Sequence, residues 1–94
     1  MSGTAYRTNI RPGRTANIDS IYAVWPPARY GEDDITTHVY VSSSPMVGDT
    51  VVHPCDRDGN VLSLQLLGCV PVLNHRKALE AAGYELEVFA YVRV

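Results

Sequence analysis

Alternation of apolar and polar residues predicts a half-buried strand over residues 35–42. The sequence ITTHVYVS has a period of two, so that Ile35 and Val39 fall on one face and His38 and Tyr40 on the other. A second run rich in β-forming residues, IDSIYAVW, ends at Pro26-Pro27. Because proline cannot donate to a strand ladder, this run predicts a strand over about 18–25.

The stretch VVHPCDRDGNVLSLQLLGCV (51–70) contains a predicted hairpin. The runs DTVVHP (49–54) and NVLSLQLLGCV (60–70) flank Asp58-Gly59, and an Asp-Gly pair between apolar runs favours a type I′ turn, which needs positive φ at both central positions. In the second arm three leucines share one face, as they would in a strand buried on that side. They are Leu62, Leu64 and Leu66.

Residues 74–83, NHRKALEAAG, form the predicted helix. Asn74 is a suitable N-cap and Gly83 a suitable terminator. The apolar stripe follows the helical spacing and is half alanine, which predicts close packing on a sheet. Its members are His75, Ala78, Leu79 and Ala82.

The last run, YELEVFAYVRV (84–94), alternates again and predicts a final strand. Its polar-marked face carries Phe89, Tyr91 and Arg93. The element order is therefore β-β-β-β-α-β. It predicts an α+β fold: a mostly antiparallel twisted sheet or a partly open small β-barrel of about five strands, with one short helix.

The length of 94 residues allows one domain. Residues 1–16 are polar, contain Gly and Pro and lack periodicity, so they predict a flexible basic N-terminal arm ahead of a single α+β domain over 17–94. Arg7, Arg11 and Arg14 lie in that arm and could follow a phosphate backbone. The formal net charge of −2 and the pI near 5.8 argue against general nucleic-acid binding, because phosphate contacts need clustered Lys and Arg.

The sequence also carries information on the cellular location and the origin of the protein. The chain starts without an apolar leader and has no apolar run of membrane-spanning length. Its two cysteines, without an export signal, predict free thiols in a reducing cytoplasm. The frequent Arg, Ala, Gly and Pro residues have GC-rich codons and are typical of a GC-rich genome, such as that of an actinobacterium or one of its phages. We therefore expect a phage-encoded or accessory protein.

Four residues are candidates for metal binding, and two of them are also candidates for catalysis. His53, Cys55, Cys69 and His75 could form a Cys2His2 zinc shell, but their spacing matches no common zinc motif. A Cys55 nucleophile beside His53 would need an orienting group and an oxyanion hole, and no signature of either is visible. We therefore expect no metal, no cofactor and no enzymatic activity.

Two binding hypotheses remain. In the first, an aromatic sheet face binds a protein partner, for example a host protein, or a second copy in a homodimer; its residues are His38, Tyr40, Phe89, Tyr91 and Arg93. In the alternative, the start of the helix binds a phosphate-containing small molecule or another anion, either as a binding domain alone or as part of an enzyme. That site would comprise Asn74, His75, Arg76 and Lys77.

Overall fold

Six strands of residues 3–87, the part of the chain described by the computed structural model, form one mixed sheet that curls into a half-barrel. The strands are β1 (Gly3–Arg7), β2 (Ile18–Tyr30), β3 (Asp34–Ser44), β4 (Asp49–Cys55), β5 (Gly68–Val70) and β6 (Tyr84–Leu86), and helix α1 spans His75–Ala81. The spatial order is β5-β4-β3-β2-β1-β6. Neighbours are antiparallel except β1 and β6, which are parallel. The predicted α+β class, a partly open small barrel with one short helix, is confirmed.

The first strand lies inside the segment predicted to be a flexible arm. β1 pairs with β2 on one side and with β6 on the other, and Ala5 is fully buried. Gly3 permits this close approach, since a Cβ there would lie 2.5 Å from the carbonyl oxygen of Trp25. Residues 3–7 therefore belong to the sheet, and the prediction of a flexible arm does not hold for them.

The second strand runs past its predicted end at residue 25. β2 continues through Pro26 and Pro27 to Tyr30, with a cis peptide bond between Trp25 and Pro26. The register between β2 and β3 shifts between Ala23 and Ala28. The two prolines thus occupy an irregularity in which the β3 ladder does not need their missing N–H groups.

The second arm of the predicted hairpin is much shorter than the sequence pattern suggested. Only Gly68–Val70 forms a strand against β4, and Val61 makes a single isolated bridge to Cys55. The intervening backbone makes only two hydrogen bonds to β4, from Leu62 N to Pro54 O at 2.9 Å and from Leu67 N to Val52 O at 2.8 Å. The prediction of a strand over 60–70 is therefore wrong for residues 60–67.

The Asp-Gly turn forms, but not as type I′. Gly59 has φ of 89° and donates from its N–H to Asp56 O at 3.0 Å, while no described non-glycine residue has positive φ. Asp58 therefore cannot take the first central position of a type I′ turn. Asp56 closes the turn with its own side chain, which accepts from the N–H groups of Asp58 and Asn60 at 2.9 and 2.8 Å.

Helix α1 packs on the face of the sheet that we call the inner face. Asn74 caps it by accepting from Lys77 N at 3.0 Å, and Gly83 follows its end with φ of 97°, as predicted. Ala78 and Leu79 are fully buried and join the core with inward residues of the strands, including Val39, Val41 and Val52. The predicted close packing is confirmed at Gly68, where a Cβ would lie 2.7 Å from Ala78 O.

The opposite, outer face of the sheet is partly covered by two loops. Ile21 projects there and is only 1% exposed. A Cβ on Gly59 would lie 2.5 Å from Ile21 Cδ1 and 3.4 Å from Ile10 Cγ2. The Asp-Gly turn and the segment after β1 therefore meet over the middle of this face.

The final predicted strand is only partly within the described residues. β6 forms as predicted at its start, and Leu86 packs against the core. Phe89, Tyr91 and Arg93 lie outside the described residues. Within residues 3–87, no helix is long and apolar enough to cross a membrane.

Candidate functional site

Tyr40, the centre of the predicted aromatic face, is hydrogen-bonded to another residue of the same domain. It lies on the outer face between Ile21 of β2 and His53 of β4, and its hydroxyl donates to Asp19 Oδ2 at 2.7 Å. Burial, followed by the nearby Asp19 carboxylate, raises the pKa of Tyr40 well above its ordinary value of 10. The hydroxyl is therefore protonated at neutral pH and occupied by an internal partner.

Asp19 forms a hydrogen bond to the loop that precedes β2 on this face. Its Oδ2 also accepts from Thr15 Oγ1 at 2.8 Å, and Asn17 Nδ2 donates to Ser42 Oγ at 3.1 Å. Asp19 Oδ1 is buried and has no hydrogen-bond partner among residues 3–87. Because each other contact here joins two parts of the same domain, the arrangement holds the loop in place.

His38, the second predicted aromatic-face residue within the described part, lies two positions from Tyr40 on the same face. It is partly exposed, stands opposite Cys55 in the ladder, and has Nδ1 2.9 Å from Thr37 Oγ1. Burial, and then the positive charge of Arg57, lower its pKa below the ordinary 6.5. The structure thus brings His38 and Tyr40 together on the outer face, as predicted.

The four residues weighed as zinc ligands do not converge. His53, Cys55 and Cys69 project from the outer face, because Cys69 pairs with Val51, two positions from His53. His75 instead contacts β2 from the inner side. No group of three or more His, Cys, Asp or Glu side chains in residues 3–87 is arranged to hold a metal ion.

The thiol of Cys55 is placed unfavourably for nucleophilic chemistry. It is fully buried, and burial, followed by the Asp56 carboxylate, raises its pKa to about 12. The neighbouring His53 directs Nδ1 toward Gln65 O at 3.1 Å. A protonated, buried thiol is a poor nucleophile.

Two of the four residues of the predicted anion site at the start of α1 are occupied by contacts within the domain. Asn74 Oδ1 already occupies the N–H of Lys77. His75 is turned away, with Nδ1 3.0 Å from Tyr22 Oη and Nε2 3.0 Å from Ile18 O. Arg76 and Lys77 are exposed. Anion binding by these four residues stays a prediction.

One group of exposed apolar side chains is a surface that the sequence pattern did not predict. Residues 61–66 leave the ladder and present four apolar side chains to solvent, of which Leu64 is 85% exposed. Ile35, at the start of β3, is 61% exposed and shares with Leu62 an open cleft of about 440 Å³. We call this set the apolar loop surface; it comprises Ile35, Val61, Leu62, Leu64 and Leu66.

The sequence held one signal for this surface. The two arms of the predicted hairpin are unequal, with six residues in DTVVHP and eleven in NVLSLQLLGCV. A strand cannot pair beyond the end of its partner, so several residues of the longer arm could not pair with DTVVHP in this hairpin. Period-two alternation alone favoured burial of the leucines.

Two exposed aromatic residues of the outer face were also missed. Tyr6 stands opposite Ala23, which in turn pairs with His38, so Tyr6 shares the face of the predicted residues. Trp25 follows two positions after Ala23 and is 66% exposed. Their signal is weak, because β1 is only five residues long and Trp25 precedes two prolines.

Comparison of the chain with family models, with curated proteins and with solved structures finds no match.

Proposed function

We propose that this chain is a non-enzymatic protein-interaction module that binds its partner through the apolar loop surface. The observation that carries the proposal is the exposure of four apolar side chains within six consecutive residues, 61–66, of which Leu62 lines one cleft with the exposed Ile35. Contiguous exposed apolar patches are uncommon on isolated domains and are typical of interaction sites.

The loop is held by specific hydrogen bonds. Gln65 uses its side-chain Oε1 to accept from Gly31 N at 2.8 Å and its carbonyl oxygen to contact His53 Nδ1 at 3.1 Å. Ser63 Oγ accepts from Gln65 N at 3.1 Å. The polar residues of the loop therefore fasten it to the domain, and the leucines between them are left outward. A loop fixed in this way loses little conformational entropy on binding.

The energetics favour a covered state. Burying one leucine side chain contributes on the order of 2 kcal/mol, and little of that is realised at Leu64, which is 85% exposed in the isolated chain. A partner that excludes water from several of these side chains would recover part of it, less the cost of association. The same exposure in an enzyme would need a nearby reactive group, and the Cys55 thiol next to this loop is buried and protonated.

A matched pair of variants tests the proposal. Leu64→Ser/Leu66→Ser, the loop variant, removes two leucines from the surface. Met46→Ser is its control, because Met46 is 91% exposed in the turn between β3 and β4, at the opposite end of β3 from Ile35. Affinity capture from an extract of the source cells should enrich one protein with the unmodified chain and with the control, and lose it with the loop variant.

The possible outcomes distinguish a wrong binding surface from a wrong function. A protein enriched equally by the loop variant would bind elsewhere and reject this surface. Failure to enrich any protein, with all variants folded as judged by circular dichroism, would reject the interaction function itself.

The aromatic face is a second candidate surface, favoured by the exposure of Tyr6 and Trp25 on the same face of the sheet as His38 and Tyr40. Aromatic residues are enriched in binding hot spots. Capture that is lost with Trp25→Ser and retained with the loop variant would assign the partner to this face. Tyr91→Ala extends the same test to the part of the predicted face outside residues 3–87.

A further inference from the structure

The charged residues near the apolar loop surface indicate which kind of partner can bind there. Residues 29–36 and 56–66 carry five carboxylates and two guanidinium groups, a net charge of −3, whereas the whole chain has −2. The carboxylates, which we call the acidic rim, are those of Glu32, Asp33, Asp34, Asp56 and Asp58.

These carboxylates are placed beside the apolar side chains by contacts of the fold. The hydrogen bond from Gly31 N to Gln65 Oε1 at 2.8 Å joins the β2–β3 turn, which holds Glu32 and Asp33, to the loop. Asp34 directly precedes Ile35. Asp56 and Arg57 line the cleft of about 440 Å³ with Ile35 and Leu62.

Asp56 is fixed as an anion by the turn that it closes. Its Oδ1 accepts from Asp58 N and Asn60 N, and its Oδ2 accepts from Asn60 Nδ2 at 3.2 Å. The hydrogen bonds from Asn60, with those from Asp58 and Gly59, lower the pKa of Asp56 below its usual value. The edge of the cleft therefore keeps a negative charge at neutral pH.

We propose that the partner at the apolar loop surface is a protein segment whose apolar side chains are flanked by lysines or arginines. This rests on the proposed function. Charges of opposite sign across an interface accelerate association and fix its orientation, whereas like charges repel unsuitable partners. A polyanionic surface such as nucleic acid or an anionic membrane would be repelled by the acidic rim.

A second copy of this chain does not fit the same surface. In a two-fold dimer each patch contacts itself, so residues 29–36 and 56–66, with their net charge of −3, would be brought close to the same residues of the second copy. Like charges at such a contact repel, most strongly within one Debye length, roughly 8 Å at physiological salt. The apolar contact would then be opposed by repulsion between these carboxylates.

Selection from a random displayed-peptide library on the immobilised full chain tests the inference. The loop variant, Leu64→Ser/Leu66→Ser, serves for counter-selection, so that only peptides needing those leucines are retained. The retained peptides should combine Leu, Ile, Val or Phe with Lys or Arg, and the affinity of a synthetic peptide from this set should fall as salt is raised.

Two variants supply the matched comparison. Each replaces three exposed carboxylates by uncharged amides and so changes the net charge by the same amount. The rim variant is Glu32→Gln/Asp33→Asn/Asp34→Asn, and the distant control is Glu80→Gln/Glu85→Gln/Glu87→Gln. The retained peptide should bind the rim variant about tenfold more weakly and the distant control with unchanged affinity.

Each alternative result has a definite meaning. Retained peptides that are neutral or acidic, or equal binding by the rim variant and the distant control, would overturn the inference and leave the interaction function standing. Sedimentation showing a dimer that the loop variant dissociates would also overturn it, with a second copy as the occupant. A selection that yields no peptide dependent on Leu64 and Leu66 would overturn the inference together with the proposed surface.

Discussion

Tyr22 donates a hydrogen bond to Nδ1 of His75 across 3.0 Å and thereby joins β2 to the first residue of α1. The direction of this bond follows from the other ring nitrogen, since Nε2 lies 3.0 Å from Ile18 O and a carbonyl oxygen can only accept. Nε2 therefore carries the proton of a neutral imidazole, and Nδ1 is left as the acceptor. Protonation of Nδ1 would place two donors face to face unless the Tyr22 hydroxyl rotated.

Stability should consequently fall in mild acid. Burial is the largest effect that lowers the pKa of His75 below 6.5; Arg7 lowers it further, and Ile18 O and Asp19 partly oppose the change. The unfolded chain then binds a proton before the folded chain does, so this contribution is complete above pH 6.5 and is lost as pH falls through the folded pKa. Urea unfolding between pH 7.5 and 5 measures the slope.

The comparison must allow for His38, whose pKa is lowered as well. We therefore expect His38→Gln/His75→Gln to show a flatter dependence of the unfolding free energy on pH than His38→Gln alone. Equal slopes for these two variants would mean that the Tyr22–His75 contact has no proton linkage.

The two thiols should differ sharply in reactivity. Burial, and then Asp56, raise the pKa of Cys55 to about 12, whereas the side chain of Cys69 is exposed. Since the thiolate is the reactive form, a disulfide reagent at pH 8 should titrate one thiol in the folded protein and two in denaturant. Cys69→Ser should abolish the fast reaction. Rapid modification of Cys55 in that folded variant would contradict the burial of its side chain.

Helix α1 could be predicted because its signals are local. Asn74 and Lys77 are three residues apart, Gly83 follows the last turn, and the spacing of Ala78 and Leu79 reports the buried side. Each of these interactions is complete within one or two helical turns, so the chain order alone contains the information.

The apolar loop surface and β1 depended on partners far away in the chain. Gln65 is fastened to Gly31, 34 positions earlier, and β1 is a strand because it lies between β2 and the distant β6. A period-two pattern is the same in a paired strand and in an extended loop, so it could not reveal that Leu64 faces solvent. The predicted site residues were likewise chosen by pattern, and Tyr40 was already committed to Asp19.

Gly68 should not tolerate a side chain. A Cβ would lie 2.7 Å from Ala78 O and 2.9 Å from Ala82 N, both backbone atoms of α1, so the helix would have to move away from β5. We expect Gly68→Ala to lower the free energy of unfolding by about 1–3 kcal/mol. Gly13→Ala is the control, because nothing lies within 4 Å of a Cβ there. Equal stability of the two variants in urea unfolding would refute close packing of helix on sheet.

The place of β1 in the sheet gives the sharpest test of the fold. Ala5 is fully buried between β2 and β6, opposite Val24 and Leu86, and a carboxylate there would be buried without a partner. Ala5→Asp should therefore destabilise the domain by about 3 kcal/mol or more, which is a large share of the roughly 5–15 kcal/mol that holds a typical domain together. The exposed Tyr6→Asp, one residue away, should cost far less. If the first sixteen residues were only a flexible arm, the two variants would unfold at the same urea concentration as the unmodified chain.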